Sequence, residues 1–239
     1  MKKYKDYREL EDKFVAFPKD FKEPIFHYLN TAIPIEFRNT KFDMFDDALK
    51  PVLQRVVLNL LNNEPVGLLL MGDIGVGKTA ALWWLSNIYL TKLYIDQLGI
   101  LSENLDFDYL RTRLSAIEFL KTPFYLSRGC EVKTAFQHTT NMRFNFQNNS
   151  EYKEMGEFYK YTNMFIDDFG VELDDAKGWN RSLWDEFIDY RWRWSKPLFI
   201  TTNFMLDDLL AWKSWARVVD RLVTKKKMIR IQVKGSSKR

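Results

Sequence analysis

Short runs of consecutive apolar residues alternate along this chain with longer stretches of helical periodicity. Residues 66–71 (V-G-L-L-L-M) form one such run, and its length and flanking turn residues predict a buried parallel strand. Similar runs stand at 164–166 (M-F-I) and 197–201 (P-L-F-I-T). Residues 123–127 (P-F-Y-L-S) read as a further sheet strand, and 228–233 (M-I-R-I-Q-V) alternates like an edge strand. Amphipathic patterns lie between them. Residues 46–62 put Leu49, Leu53, Val56, Val57, Leu60 and Leu61 on one stripe, with Pro51 suited to the first turn. Residues 80–89 carry good helix formers and an apolar face. Residues 180–194 repeat Leu183, Trp184, Phe187, Ile188, Arg191 and Trp192 at helical spacing. Two short helices are predicted at 206–212 and 214–223, the second with Trp215, Val218, Val219 and Leu222 inward. Strands alternating with helices predict an α/β fold with a mostly parallel sheet.

The remaining segments are less regular. In residues 1–32, Phe17, Phe21, Ile25, Phe26 and Leu29 recur at roughly helical spacing, with Pro18 and Pro24 limiting continuity. This segment reads either as a docking site for a partner or as a strap on the domain's own core. Residues 31–45 read as an extended linker. Residues 91–121 read as helical pieces, 105–120 most clearly, 131–140 as a short helix, and 151–160 as a charged helix or loop. The resulting organisation is a short N-terminal segment (1–32), linker and first helix (33–62), a core (63–223) and a basic C-terminal strand and tail (224–239).

Composition narrows the class. At 239 residues and 46% hydrophobic content, the chain suits one α/β domain with short appendages. A single cysteine, Cys130, excludes an intrachain disulfide. With no recognisable secretory leader and no apolar run near the roughly 20 residues of a membrane span, the expected location is cytoplasmic. The net charge of +4 is unevenly placed. Residues 224–239 hold seven Lys and Arg and no acid; removing them from the 36 basic residues leaves 29 against 32 acidic ones. Basicity is thus a C-terminal feature and not a body-wide nucleic-acid footprint.

The strongest chemical signal follows the 66–71 strand. Gly72, Asp73, Ile74, Gly75, Val76, Gly77, Lys78 and Thr79 match G-x-x-x-x-G-K-[ST] without a mismatch, and Ala80 opens a helix. Strand, glycine loop and helix start are the context a phosphate loop requires. The glycines let backbone N–H groups point inward at phosphate oxygens. Lys78 suits the β- and γ-phosphates, and the Thr79 hydroxyl suits Mg²⁺. The second signal is N-M-F-I-D-D-F-G at 163–170, an apolar strand ending in two carboxylates. Asp167 is placed to hold Mg²⁺ and Asp168 to polarise a water, so ATP and Mg²⁺ are the expected cofactors. Thr201, Thr202 and Asn203 end the neighbouring strand, where their polar side chains are expected to project toward the γ-phosphate. Arg217 and Arg221 share a helix face, which by spacing alone reads as a solvated face. Only His27 and His138 are present, so a His-based centre has little support.

In this order and spacing the motifs resemble the DnaC/DnaI/IstB branch of AAA+ ATPases, from about residue 33 onward. The motifs are 72–79, the I-D-D-F-G at 166–170, the I-D-Y-R-W before Pro197, T-T-N at 201–203, R-V-V-D-R-L at 217–222 and the terminal G-S-S-K-R. The resemblance implies a P-loop, three-layer sandwich with no separate helical lid domain. It implies that Asn203 helps place the lytic water and that Arg221 reaches the ATP of a neighbouring subunit, with Arg217 as accessory. It places Ile35, Phe37 and Arg38 against adenine. It implies DNA contacts at Arg128, Lys133, Arg143 and Phe144, where cations and aromatics interleave; the same residues read equally as a solvated helix with some buried Phe. Residues 96–121 look like an insertion against the branch's shorter connection, and only about 30 residues stand where loaders of this type usually carry a helicase-binding domain. Three functions stay open. One is an ATP-hydrolysing helicase loader that assembles on single-stranded DNA or a replicative helicase. Another is a transposition helper that forms a filament on duplex DNA and recruits a transposase. The last is a nucleotide-gated interaction module with little hydrolysis.

Overall fold

The computed structural model describes residues 3–101, 106–108, 130–134, 162–170, 179–223 and 227–233. Among the described residues, five strands make one sheet: β1 (Gly67–Gly72), β2 (Cys130–Thr134), β3 (Asn163–Asp167), β4 (Leu198–Thr202) and β5 (Met228–Val233). Their spatial order is β2-β3-β4-β1-β5, and every neighbouring pair is parallel. The central strands β1, β3 and β4 are buried at every position. Covered on both faces, they carry unbroken apolar runs. Strand β5 lies at one edge and is partly exposed, which is why its sequence alternates.

Two helical layers do the covering. Leu68, Leu70, Phe165, Phe199 and Val233 project into one hydrophobic cluster; Leu69, Met71, Met164, Ile166, Ile200 and Met228 project into the other. That split follows from the two-residue period of a strand. The first layer holds α1 (Arg8–Val15), α2 (Lys19–Ala32), α3 (Lys50–Leu61) and α4 (Lys78–Leu101). The second holds α5 (Trp179–Arg193), α6 (Leu206–Ala211) and α7 (Ala216–Val223). Together they form the expected three-layer α/β sandwich. Among the described residues, α7 leads into β5 with no separate helical lid between them.

Helix α4 is longer than its predicted span of 80–89. Leu82, Trp84, Leu85, Ile88, Tyr89, Tyr94, Ile95 and Leu98 are all buried, so apolar residues circle it and no single stripe marks its end. Its outer side is covered by the N-terminal helices. Tyr7, Leu10, Phe17, Phe21, Ile25 and Leu29 join the same cluster. The Tyr94 hydroxyl donates to the Phe21 carbonyl at 2.7 Å. Burial pushes that phenol's pKa well up. Residues 1–32 therefore include an apolar face that the domain itself buries.

Two local expectations change. Residues 131–134 belong to strand β2, not to a helix; parallel pairing with β3 supplies the ladder hydrogen bonds and overrides a weak local preference. The 31–45 linker contains two 3-10 turns, Ile35–Phe37 and Phe42–Met44, with Pro34 setting the first. The strand expected at 123–127 and the segment at 151–160 lie outside the described residues. So does most of the 96–121 insertion, apart from the end of α4 and residues 106–108. Phe107 packs edge-on against Phe17 and tilted against Phe21, at 5.1 and 5.0 Å.

Candidate functional site

The sheet brings the chemistry together at one end, because parallel strands align their C-terminal ends. Strand β1 stops at Gly72 and α4 starts at Lys78. The intervening turn needs positive φ at Gly75 (87°) and Gly77 (90°). Lys78 opens the helix with its side chain almost fully buried. Its ammonium donates to the carbonyls of Gly72 (2.8 Å) and Asp73 (2.7 Å) and to Oδ1 of Asn203 (3.0 Å). Burial lowers its pKa, opposed by the nearby carboxylates of Asp168, Asp167 and Asp73.

Strands β3 and β4 supply the acids and their partners. The Thr79 hydroxyl donates to Oδ1 of Asp167 at 3.1 Å, and the Thr201 hydroxyl donates to the same oxygen. Burial raises the Asp167 pKa, while the hydrogen bonds from Thr201 and Thr79 pull it down. Asp168 sits just past the strand at φ 56°, a left-handed position that Asp tolerates better than most residues. Its Oδ1 lies 3.4 Å from Nδ2 of Asn203. Asn203 thus bridges Lys78 and Asp168 through opposite ends of its amide. The nitrogen and oxygen assignments are set by that network.

These groups line a cavity of about 830 Å³, together with Ile74–Ala80 of the loop. That volume lies within the range of small-molecule sites. Phe37, Thr40, Phe45 and Asp46 close the other wall. Phe37 also stacks on Trp83, at 6.4 Å and 14° between planes. Ile35 and Arg38 are not brought to the cavity. A 3-10 turn rotates successive side chains by about 120°, so Glu36 and Phe37 face the cavity while Ile35 is exposed. Arg38 turns back, donating from Nε to the Ile33 carbonyl at 2.9 Å. It lines a separate cavity of about 540 Å³ between α1, α2 and α4.

Arg221 is also away from this cavity. It is held between Asp185, at 2.8 Å, and Asp189 of α5. Arg217 lies 3.2 Å from Asp185 and stays 72% exposed at its side chain. The sequence held a signal for this arrangement. Asp185 and Asp189 are four apart on α5, as Arg217 and Arg221 are on α7, so two helices carry matching faces. Lys133 lies in edge strand β2, in register with Ile166. Arg128, Arg143 and Phe144 lie outside the described residues.

Oxygen donors suited to Mg²⁺ meet at Thr79 and Asp167. Among the described residues, no group of three or more His, Cys, Asp or Glu gathers to hold an ion. Mg²⁺ needs none, because it binds through one or two protein oxygens plus phosphates and water. The burial of Asp167 makes a prediction. Its raised pKa means that the ionised form costs stability above that pKa, and the cost fades as pH falls through it. Asp167→Asn is therefore expected to melt no lower than wild type near neutral pH without Mg²⁺. It is also expected to lose the extra stabilisation that Mg²⁺ with ATP gives wild type. Thermal melts with and without Mg²⁺–ATP check both halves.

A buried parallel sheet, a glycine loop entering a helix, and paired acids at the end of β3, one strand removed from the loop strand β1, are the layout of a P-loop α/β fold. The chain is similar to the solved structure of the DnaC helicase loader, at 17% identity, covering 83% of this chain and 99% of that one with a TM-score of 0.57. It is similar to DnaI at 18% identity, 87% and 94% coverage and a TM-score of 0.54. It also resembles AMPPCP-bound DnaA from Aquifex aeolicus at 12% identity and a TM-score of 0.51, over 81% of this chain and 50% of that one. No family model matches the chain. A sequence search of curated proteins finds no match. The fold expected from the motifs is therefore the fold observed.

Proposed function

We propose that this protein binds and hydrolyses ATP and acts on DNA as a DnaC-like helicase loader, assembling in a nucleotide-dependent way on single-stranded DNA or on a helicase. The observation that carries the reading is the meeting of Lys78, Thr79, Asp167, Asp168 and Asn203 at one cavity. Backbone N–H groups of the 73–77 turn and the start of α4 favour phosphate. The Lys78 ammonium offers its donors to phosphate oxygens in place of Gly72, Asp73 and Asn203. Thr79 and Asp167 would hold Mg²⁺, which would supply positive charge against the negative charge that develops on the phosphates. Asp168 orients the attacking water and accepts its proton. Asn203 holds the Asp168 carboxylate and presents its amide to the same water. Arg221 acts in trans on a neighbouring subunit's phosphate, with Arg217 as an accessory or structural partner, so that hydrolysis is tied to assembly.

DNA contact is assigned to Arg128, Lys133, Arg143 and Phe144, and the location to the cytoplasm. Among the described residues, no helix is long and apolar enough to cross a membrane.

The test is ATP turnover against protein concentration, with single-stranded DNA, with duplex DNA and with neither. The expected result is a rate per subunit that climbs with concentration and with single strands. Stimulation by duplex alone would replace this reading with the transposition helper. ATP binding with a flat, near-zero rate would replace it with the nucleotide-gated module.

A further inference from the structure

The end of β4 is built around a threonine that the nucleotide chemistry above does not use. Thr201 is completely buried. Its hydroxyl has two partners. It donates to Oδ1 of Asp167, and it accepts the backbone N–H of Asp168 at 2.9 Å. Two further bonds join the same segments: the Phe169 N–H donates to the Thr201 carbonyl at 2.8 Å, and the Thr202 hydroxyl donates to the Phe169 carbonyl at 2.7 Å. A valine in place of Thr201 keeps the branched shape and the backbone bond. It loses only the two hydroxyl bonds.

Those two bonds act on different atoms. One fixes the rotation of the Asp167 carboxylate, whose Oδ1 also takes the Thr79 hydroxyl. The other caps the N–H of a residue held at φ 56°, a conformation that persists only where the surroundings hold it. Together they set where both acids point.

We infer that Thr201 is a positioning residue for the divalent cation: its hydroxyl aligns Asp167 with Thr79 and fixes the turn that presents Asp168. The inference rests on the nucleotide reading above and adds a residue to it. Partners that orient a metal ligand typically change metal affinity by about 10–100-fold when removed.

The experiment is equilibrium nucleotide binding across a Mg²⁺ titration, with thermal melts alongside, for wild type, Thr201→Val and Thr201→Ser. Thr201→Val is expected to bind nucleotide without Mg²⁺ as wild type does, and to need about 10–100-fold more Mg²⁺ for half of the Mg²⁺-dependent gain. Thr201→Ser, which keeps the hydroxyl, is expected to titrate like wild type. An unshifted Mg²⁺ midpoint in Thr201→Val overturns the inference. So does an equal shift in Thr201→Ser, which would assign the effect to volume. If Thr201→Val does not fold, Thr201→Ala also removes the hydroxyl and is read by the same criteria. Wild-type protein with no Mg²⁺-dependent nucleotide binding would overturn the nucleotide reading itself, before any variant is compared.

Discussion

Lys78→Ala is expected to abolish useful ATP affinity while leaving the fold in place. The Lys78 ammonium is buried, and three acceptors within 3.0 Å surround it. Each of those acceptors has another role: Gly72 and Asp73 shape the loop, and Asn203 also reaches Asp168. When phosphate binds, the cation keeps its burial and gains a charged partner, so the interaction is charge-assisted. Removing one member of such a pair costs about 2–5 kcal/mol, which is roughly 30-fold to several thousand-fold in dissociation constant. Stability moves less, because burial already penalises the charged lysine. Alanine removes that penalty along with the hydrogen bonds. Titration with ATP, ADP and adenosine separates the contributions. Loss is expected for ATP and ADP and not for adenosine, with a melting midpoint near wild type. Unchanged ATP affinity in a folded variant would remove the phosphate-loop assignment and everything built on it.

The site was legible where function and fold make the same local demand. A phosphate loop needs glycines after a buried strand and before a helix, and all three demands fall within residues 66–89. Asp167 and Asp168 were legible for a similar reason: β3 is buried on both faces, so two adjacent carboxylates at its end stand out. Features set by distant pairing were not. Strand β2 at 130–134 carries Glu131, Lys133 and Thr134 and owes its conformation to the β3 ladder. The true length of α4 was hidden because the N-terminal helices cover its outer face and erase the polar stripe that would mark exposure. Arg38 shows a third limit. Sequence places it beside Phe37, but the 3-10 turn sends the two side chains to different cavities. Thr201 shows a fourth: sequence points it toward the γ-phosphate, but it is fully buried and its hydroxyl is taken up by Asp167 and the N–H of Asp168.

Arg221→Ala is expected to lower stability as well as assembly-dependent turnover, whereas Arg217→Ala spares stability. The geometry makes the distinction. Arg221 is 17% exposed at its side chain and is shared by Asp185 and Asp189, themselves only 25% and 19% exposed. Truncating it leaves Asp185 to Arg217 and Asp189 to Arg193, two largely exposed partners. The cost lies between about 1 kcal/mol for an exposed pair and about 3–5 kcal/mol for a buried pair broken on one side. Arg217 is exposed and makes one contact of 3.2 Å, so its loss is worth about 1 kcal/mol or less. A role for Arg221 in trans then carries a condition: the guanidinium must leave two carboxylates to reach a neighbour's phosphate. Weakening that hold should favour the trans arrangement. Asp185→Asn is accordingly expected to melt lower yet raise turnover per subunit at high protein concentration. Mixing supplies the decisive comparison. Lys78→Ala protein cannot bind ATP but keeps its own arginines, so adding it to folded Arg221→Ala protein should restore turnover. If no turnover returns, and Asp185→Asn is only less stable, Arg221 is a pin between α5 and α7 and has no trans role.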